Sequence, residues 1–311
     1  MKILVAGAGL FGREHLALLA AQGVAIAAAD PVPTLADRAR ADFGAVAGAD
    51  AIALMEDFRP DGIIIAAPAA AHLPLASAGL ARGIPVLVEK PVAPTSADAR
   101  RIGQLAAASG TFALPGHVLR FSAQHQALAQ AVQGGSLGRV LSVTSRRYRD
   151  AAHAVHYADI DPVLMTMIHD IDLALWITGN RAVSARADRV TGRDGRTATF
   201  ATLRDTGGGL WHLVSAWTFP DDDSPPDRIE VLGEEGSLEL VVGSGLISSA
   251  AGRLFDSDPA ENALLAEQSA FLAAIRTGFA PEGVTMDDAI AGLVAAELIL
   301  ADLRPARSGG E

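Results

Sequence analysis

Cysteine is missing from this 311-residue chain, and lysine nearly so. The first absence excludes a disulfide framework, a thiol nucleophile and thiolate zinc sites, and it fits the reducing cytoplasm, the location expected here. Long apolar runs are missing too. None reaches the roughly 18 residues that a membrane span needs, because Asp, Pro or Gly breaks every alanine-rich segment. The opening Met1-Lys2-Ile3-Leu4-Val5 runs straight into a strand and a glycine turn. A secretory signal would instead show a basic start, a longer apolar core and a cleavage site. Basic charge is short: 25 Lys and Arg face 36 Asp and Glu, for a net charge of -11. The dense cluster Arg146-Arg147-Tyr148-Arg149 stands alone, so neither nucleic acid nor a membrane is an expected partner.

The two lysines are Lys2 and Lys90, against 23 arginines. Arginine substitutes wherever a fixed charge is enough, but it does not release its proton, whereas a partly buried lysine does. Lys2 merely opens the chain. Lys90 ends the apolar run Val86-Leu87-Val88-Glu89 and precedes Pro91, and strand ends are where α/β proteins build sites. It is the first candidate for a proton-handling group.

Residues 1–119 alternate short apolar runs with helical patterns. Strands are expected over 3–6, 24–29, 62–67, 86–88 and 111–114, and helices over 11–22, 34–43, 72–82 and 96–109, the last capped by Thr95 or Ser96. Continuous apolar strands in regular βαβ alternation predict a doubly wound parallel sheet, α/β in class. Gly7-Ala8-Gly9-Leu10-Phe11-Gly12 lies between the first strand and its helix. The first glycine permits the turn, the second lets a pyrophosphate approach the backbone, the third lets helix and strand pack, and the helix N-terminus faces the phosphates. Asp30 closes the second strand, where a carboxylate accepts ribose hydroxyls and repels a 2′-phosphate; no arginine follows before Arg38, which favours NAD over NADP. Pro68, His72 and Glu89 lie at further strand ends, so Gly7, Gly9, Leu10, Phe11, Gly12, Asp30, Pro68, His72, Glu89 and Lys90 form the expected cofactor set. For His72 an N-terminal helical histidine held by water is an equal reading.

These residues resemble the glucose–fructose oxidoreductase, inositol dehydrogenase and rhizopine catabolism (Gfo/Idh/MocA) family. The resemblance covers essentially the whole chain. It rests on the glycine turn, on Ala67-Pro68 with His72, on Glu89-Lys90-Pro91, and on Gly116-His117-Val118-Leu119-Arg120-Phe121. It continues through Ile168-His169-Asp170-Ile171-Asp172-Leu173 and through the segment 229–238. It implies a nicotinamide-dependent oxidoreductase that interconverts a secondary alcohol and a ketone on a sugar, cyclitol or related polyol or uronate. It also implies a Lys-Pro peptide that is commonly cis, with Lys90 and His169 as the catalytic pair.

Residues 120–311 are expected to form a substrate-binding and oligomerisation domain of α+β type, built on an open, mostly antiparallel sheet. Helices are read over 122–133, 166–178, 261–277 and 285–303, and strands over 139–149, 182–190, 197–204, 209–219, 228–233 and 236–242. Both faces of the strand 210–219 are largely apolar, which predicts a second subunit as cover, in a homodimer or homotetramer. His169 and Asp172 are i,i+3 and share a helix face; with Lys90, His117 and Arg120 they make up the expected substrate contacts. For Arg120 a structural ion pair stands beside that reading. Arg146, Arg147 and Arg149 suggest either an anionic substrate or a solvated charged face. His153 and His156 are thin material for a metal site, and none is expected. Specificity is assigned to the loops 150–163 and 219–227. One departure from the family matters: the aspartate of its Asp-x-x-x-His segment is Met165 here. Asp170 or Asp172 supplies the carboxylate instead, or Lys90 acts alone, or the chain is a non-catalytic NAD-binding sensor. Transient-redox glycoside cleavage is a further alternative within the enzyme class.

Overall fold

The computed structural model describes residues 1–220 and 224–303, which fall into two compact units. The first comprises Met1–Val118 and Asn262–Ile290, the second Leu119–Glu261 and the residues from Ala291 on. The segment 120–311 therefore does not stay together, and 262–290 belongs with the opening residues.

In the first unit, β1 (Lys2–Ala6), β2 (Ala25–Ala29), β3 (Val46–Gly48), β4 (Gly62–Ile65), β5 (Val86–Glu89) and β6 (Ala113–Gly116) form one sheet in the order β3-β2-β1-β4-β5-β6. All its pairings are parallel. The helices α1 (Leu10–Ala21), α2 (Pro33–Phe43), α3 (Ala51–Phe58), α4 (His72–Leu80) and α5 (Ser96–Ser109) connect its strands. Ile63, Ile64 and Ile65 are all 0% exposed; consecutive burial is what a parallel strand covered on both faces requires. Each such side chain stabilises by about 1.5–3 kcal/mol. Two elements escaped the sequence reading. β3 has three residues, too few to show a period, and α3 has eight, started by Asp50, whose carboxylate accepts the N–H groups of Ile52 and Ala53. Thr95 is the cap of α5, accepting from Asp98 N–H. The helix α9 (Ala263–Thr277) returns here because its apolar stripe completes the core. Phe271 is 0% exposed and meets Phe112 edge to face at 6.0 Å, and at Gly62 a Cβ would lie 2.5 Å from Ile275. The strand order reverses between β1 and β4, so the ends of those strands border the crevice where open α/β sheets bind ligands.

The second unit holds an eight-stranded sheet in the order β14-β13-β12-β11-β7-β10-β9-β8. Its strands are β7 (Val140–Asp150), β8 (Ala182–Thr191), β9 (Thr197–Asp205), β10 (Leu210–Phe219), β11 (Arg228–Gly233), β12 (Gly236–Val241), β13 (Gly245–Ser248) and β14 (Gly252–Asp256). Only β7 and β10 pair parallel. The sheet is open and mostly antiparallel, as expected; β13 and β14 are additional edge strands. The helices α6 (Ala123–Gln133) and α8 (Ile168–Thr178) pack on one face, and the short α7 (Ala151–His156) lies against β7 and β10. On β10 the helix-facing Trp211, Leu213, Ser215 and Trp217 are buried, whereas Leu210, His212 and Val214 on the opposite face are half-buried. The helix expected from Thr166 starts earlier: Val163–Met167 is π-helical and runs directly into α8. The final helix, α10 (Met286–Asp302), begins in the first unit and ends in the second. Of the specificity loops, 150–163 includes α7, while 221–223 of the segment 219–227 lies outside the described residues.

Candidate active site

The glycine turn is built as its spacing demands. Gly7 has φ +101°, and a Cβ there would sit 2.5 Å from Ala66 O; one on Gly12 would sit 1.9 Å from Gly7 O. Both must be glycine for β1, β4 and α1 to approach one another. Gly9 differs, because nothing lies within 4 Å of its Cβ position. It is the N-cap of α1, with no side chain capping the helix and no acidic residue in the first turn. Space, free helix N–H groups and the positive end of the helix dipole thus coincide, which suits a pyrophosphate. Leu10 stands 58% exposed beside the turn, while Phe11 packs edge to face on His15 at 5.4 Å. Asp30 is buried. Its Oδ2 accepts Ala8 N–H at 2.8 Å and its Oδ1 accepts Val32 N–H at 2.9 Å, so it braces the turn and keeps a second lone pair on each oxygen. These residues fit a bound dinucleotide.

The ends of β4 and β5 hold the next group. Pro68 is exposed and Lys90 half-buried, and the Lys90–Pro91 peptide is cis. His72 does not face a ligand. It is 1% exposed, with Nε2 2.7 Å from Ala67 O and Nδ1 3.0 Å from Pro91 O and 3.2 Å from Val92 O. Its contact with cofactor gives way to a strap between two strand-end loops. Burial lowers its pKa below the ordinary histidine value, against the opposing pull of the Ala67 and Val92 carbonyls and of Glu89. Glu89 likewise turns inward: Oε1 accepts from His15 Nε2 at 3.0 Å and Oε2 from Lys90 N–H at 3.1 Å. Behind it, Gln268 Nε2 donates to His15 Nδ1 at 2.8 Å and to His15 O at 3.0 Å. The Nδ1 lone pair is thereby occupied, which places the ring hydrogen on Nε2, toward Glu89. Sequence reasoning missed His15, Glu267 and Gln268. Their one signal was polar residues interrupting the apolar stripe of a helix, and nothing local says what they meet. His117, at the end of β6, is buried.

In the second unit, α8 carries His169, half-buried, followed by the buried Asp170 and Asp172. Asp172 receives Arg120 in a fork, with Nη2 at 2.7 Å and Nε at 3.0 Å, and both side chains are 3% exposed. Arg120 also lies over the Trp176 ring at 5.7 Å. The ion pair read as one alternative for Arg120 is present, with Asp172 as its partner. Asp170 accepts from Ser145 Oγ at 2.6 Å and from Arg147 Nη2 at 3.0 Å, and Arg147 also reaches Asp227. Arg147 is neither solvated nor an anion receptor, though Arg146 is exposed. Burial works against the Arg147 charge, but Asp170 and Asp227 outweigh it and raise its pKa. Both aspartates of α8 are thus paired with arginines, Asp172 with Arg120 and Asp170 with Arg147. His153 stacks edge-on against Trp217 at 4.8 Å and lies 4.6 Å from the Tyr157 ring. Among the described residues no cluster of three or more metal-ligating side chains exists, and no helix is long and apolar enough to cross a membrane.

Comparison with known proteins agrees with this architecture. Residues 1–117 match the oxidoreductase family model with an NAD-binding Rossmann fold, and residues 125–239 match the GFO/IDH/MocA C-terminal domain. Inositol 2-dehydrogenase 2 of Saccharopolyspora erythraea is 31% identical over 252 residues, covering 77% of this chain and 73% of that one. The rhizopine catabolism protein MocA of Rhizobium meliloti is 28% identical over 306 residues, 94% and 91% of the two chains. The structure of scyllo-inositol dehydrogenase from Lactobacillus casei with bound NAD(H) and scyllo-inositol superposes with a TM-score of 0.83 over 97% of this chain and 96% of that one, at 22% identity. The fold and site define a nicotinamide-dependent oxidoreductase. The chain belongs to the Gfo/Idh/MocA family, and its first unit is that family's NAD-binding domain.

Proposed function

We propose that this protein oxidises a secondary alcohol of a cyclitol, sugar or related polyol to the ketone, and runs the reverse reduction, with Lys90 and His169 managing the proton. One observation carries the reading: Lys90, one of two lysines in the chain, sits half-buried at a strand end beside the glycine turn's sheet, on a loop anchored by Glu89 and His72. The inositol 2-dehydrogenases and MocA among its relatives support the substrate class. When bound, NAD supplies the hydride acceptor. Lys90 Nζ hydrogen-bonds the reacting oxygen and takes its proton; His169 contacts the same or a neighbouring hydroxyl as base or relay. Asp30 accepts ribose hydroxyls, and the N–H groups of Leu10, Phe11 and Gly12 receive the pyrophosphate. With Lys90→Ala, turnover on the best polyol should fall about 10²–10⁴-fold, while calorimetry shows NAD affinity nearly unchanged. Full turnover in that variant would remove the mechanism.

A second reading is favoured by Met165 together with the commitment of Asp170 and Asp172 to arginines: a non-catalytic NAD-binding sensor. Tight NAD binding without NADH formation across a polyol and uronate screen would select it.

We also propose a homo-oligomer formed through the open face of the second sheet. Strand registers put Val190, Phe200, Val214, Leu232 and Ile247 on that face, where Val190 is 59%, Phe200 44% and Leu232 43% exposed. Large apolar residues gathered on one sheet face mark a contact surface.

A further inference from the structure

Glu267 is a buried group that the site described so far leaves without a use. It lies on α9 among Leu264, Phe271 and Leu272, is 0% exposed, and no hydrogen-bond donor among the described residues reaches either of its oxygens. A carboxylate so placed has nothing to stabilise its charge. The side chain is satisfied only if it carries the proton itself and donates. The neighbouring residue, Gln268, holds His15, and His15 holds Glu89, so Glu267 belongs to the same buried patch as Glu89. The Glu89 carboxylate at the end of β5 is the charge that acts on Glu267, and His15 of α1 with Gln268 of α9 link the same helix to Glu89.

We propose that Glu267 is a neutral carboxylic acid that donates its hydrogen bond to the Glu89 carboxylate, and that this buried acid pair is a positioning device for Lys90, keeping one negative charge rather than two behind the reacting amine. Glu89 then collects three donors: His15 Nε2–H, the backbone N–H of Lys90 and the Glu267 acid. Two adjacent buried carboxyls do not both ionise. Burial, with the Glu89 charge beside it, pushes the Glu267 carboxyl well above the usual carboxylate range. A second full charge there would hold the proton on Lys90 more tightly and work against its release.

The inference rests on Lys90 as the proton-handling group, and two measurements keep the two claims apart. Infrared difference spectra of the whole protein, labelled with ¹³C-glutamate and recorded in D₂O at neutral pH, should show a protonated carboxyl stretch. That stretch should vanish in Glu267→Gln. In the pH dependence of kcat, Glu267→Gln should keep the apparent pKa of the wild type, because an amide also places a neutral donor beside Glu89. Glu89→Gln should move it toward acid by roughly one unit or more, as expected when a charge beside an amine is removed. Absence of the stretch in the wild type overturns the proposal, as does a Glu267→Gln profile displaced like that of Glu89→Gln. If Glu267→Gln does not fold, the wild-type stretch and its displacement in Glu89→Gln decide the matter. Full turnover in Lys90→Ala would instead sink the lysine reading and leave the infrared result standing.

Discussion

Asp30 does two jobs with one carboxylate, since it braces the glycine turn through Ala8 and Val32 and is proposed to receive the ribose. Hydrogen bonds to a charged group are worth about 1.5–3 kcal/mol each. Asp30→Ala should therefore weaken NAD binding at least tenfold and lower the melting temperature of the protein without NAD. Calorimetric titration and a thermal scan check the two effects. His125 supplies a pH prediction. It is 1% exposed, its Nδ1 lies 3.0 Å from Ser122 Oγ, and its pKa is lowered to about 3 by burial and then by the Arg147 charge, with Asp227 opposing. An unfolded histidine titrates near 6.5. The folded pKa is the lower one, so the unfolded chain binds the proton first. The stabilisation is whole above about pH 6.5 and drains away as pH falls toward 3. Between pH 7.5 and pH 5 this one residue should remove about 2 kcal/mol. His125→Gln should narrow the gap between urea unfolding curves at those two pH values by a comparable amount.

At the scale of elements, buried charge ties α8 to its sheet. Arg147 of β7 binds Asp170 of α8 and Asp227 just before β11, and burial of Asp227 is outweighed by Arg147 and Arg149, which lower its pKa. Arg147→Leu would strand the buried Asp170 carboxylate and leave Asp227 to Arg149 alone, at a cost of about 3–5 kcal/mol. Adding Asp170→Asn should recover part of it, and a double-mutant cycle in urea measures the recovery. The periodic patterns located most of these elements, because burial on one face or both repeats at 3.6 or 2 residues. They missed β3, α3, α7, β13 and β14, which run from three to eight residues, too short for a period to show. The π-helical turn ahead of α8 left no mark in the sequence either.

On the scale of the whole molecule, the open face of the second sheet is proposed to be covered by another copy of the chain. Phe200 and Val214 face each other across β9 and β10 on that side. Phe200→Glu should shift the sedimenting species toward monomer and leave far-ultraviolet circular dichroism unchanged. A wild-type protein that sediments as a monomer at micromolar concentration would refute the assembly.

What could be read from residue order alone was whatever is local: the glycine turn and its strand, Asp30 at the next strand end, the lone Lys90 before a proline, and the α/β then α+β succession. Each depends on neighbours within a few positions, where backbone sterics and burial period leave a direct imprint. Partnership was decided only in three dimensions. His72 became a strap rather than a cofactor contact, Arg120 and Asp172 turned to each other, and α9 returned to set Gln268 against His15 across 253 positions of sequence. A buried polar group takes the partner that folding brings to it, and no local pattern names that partner.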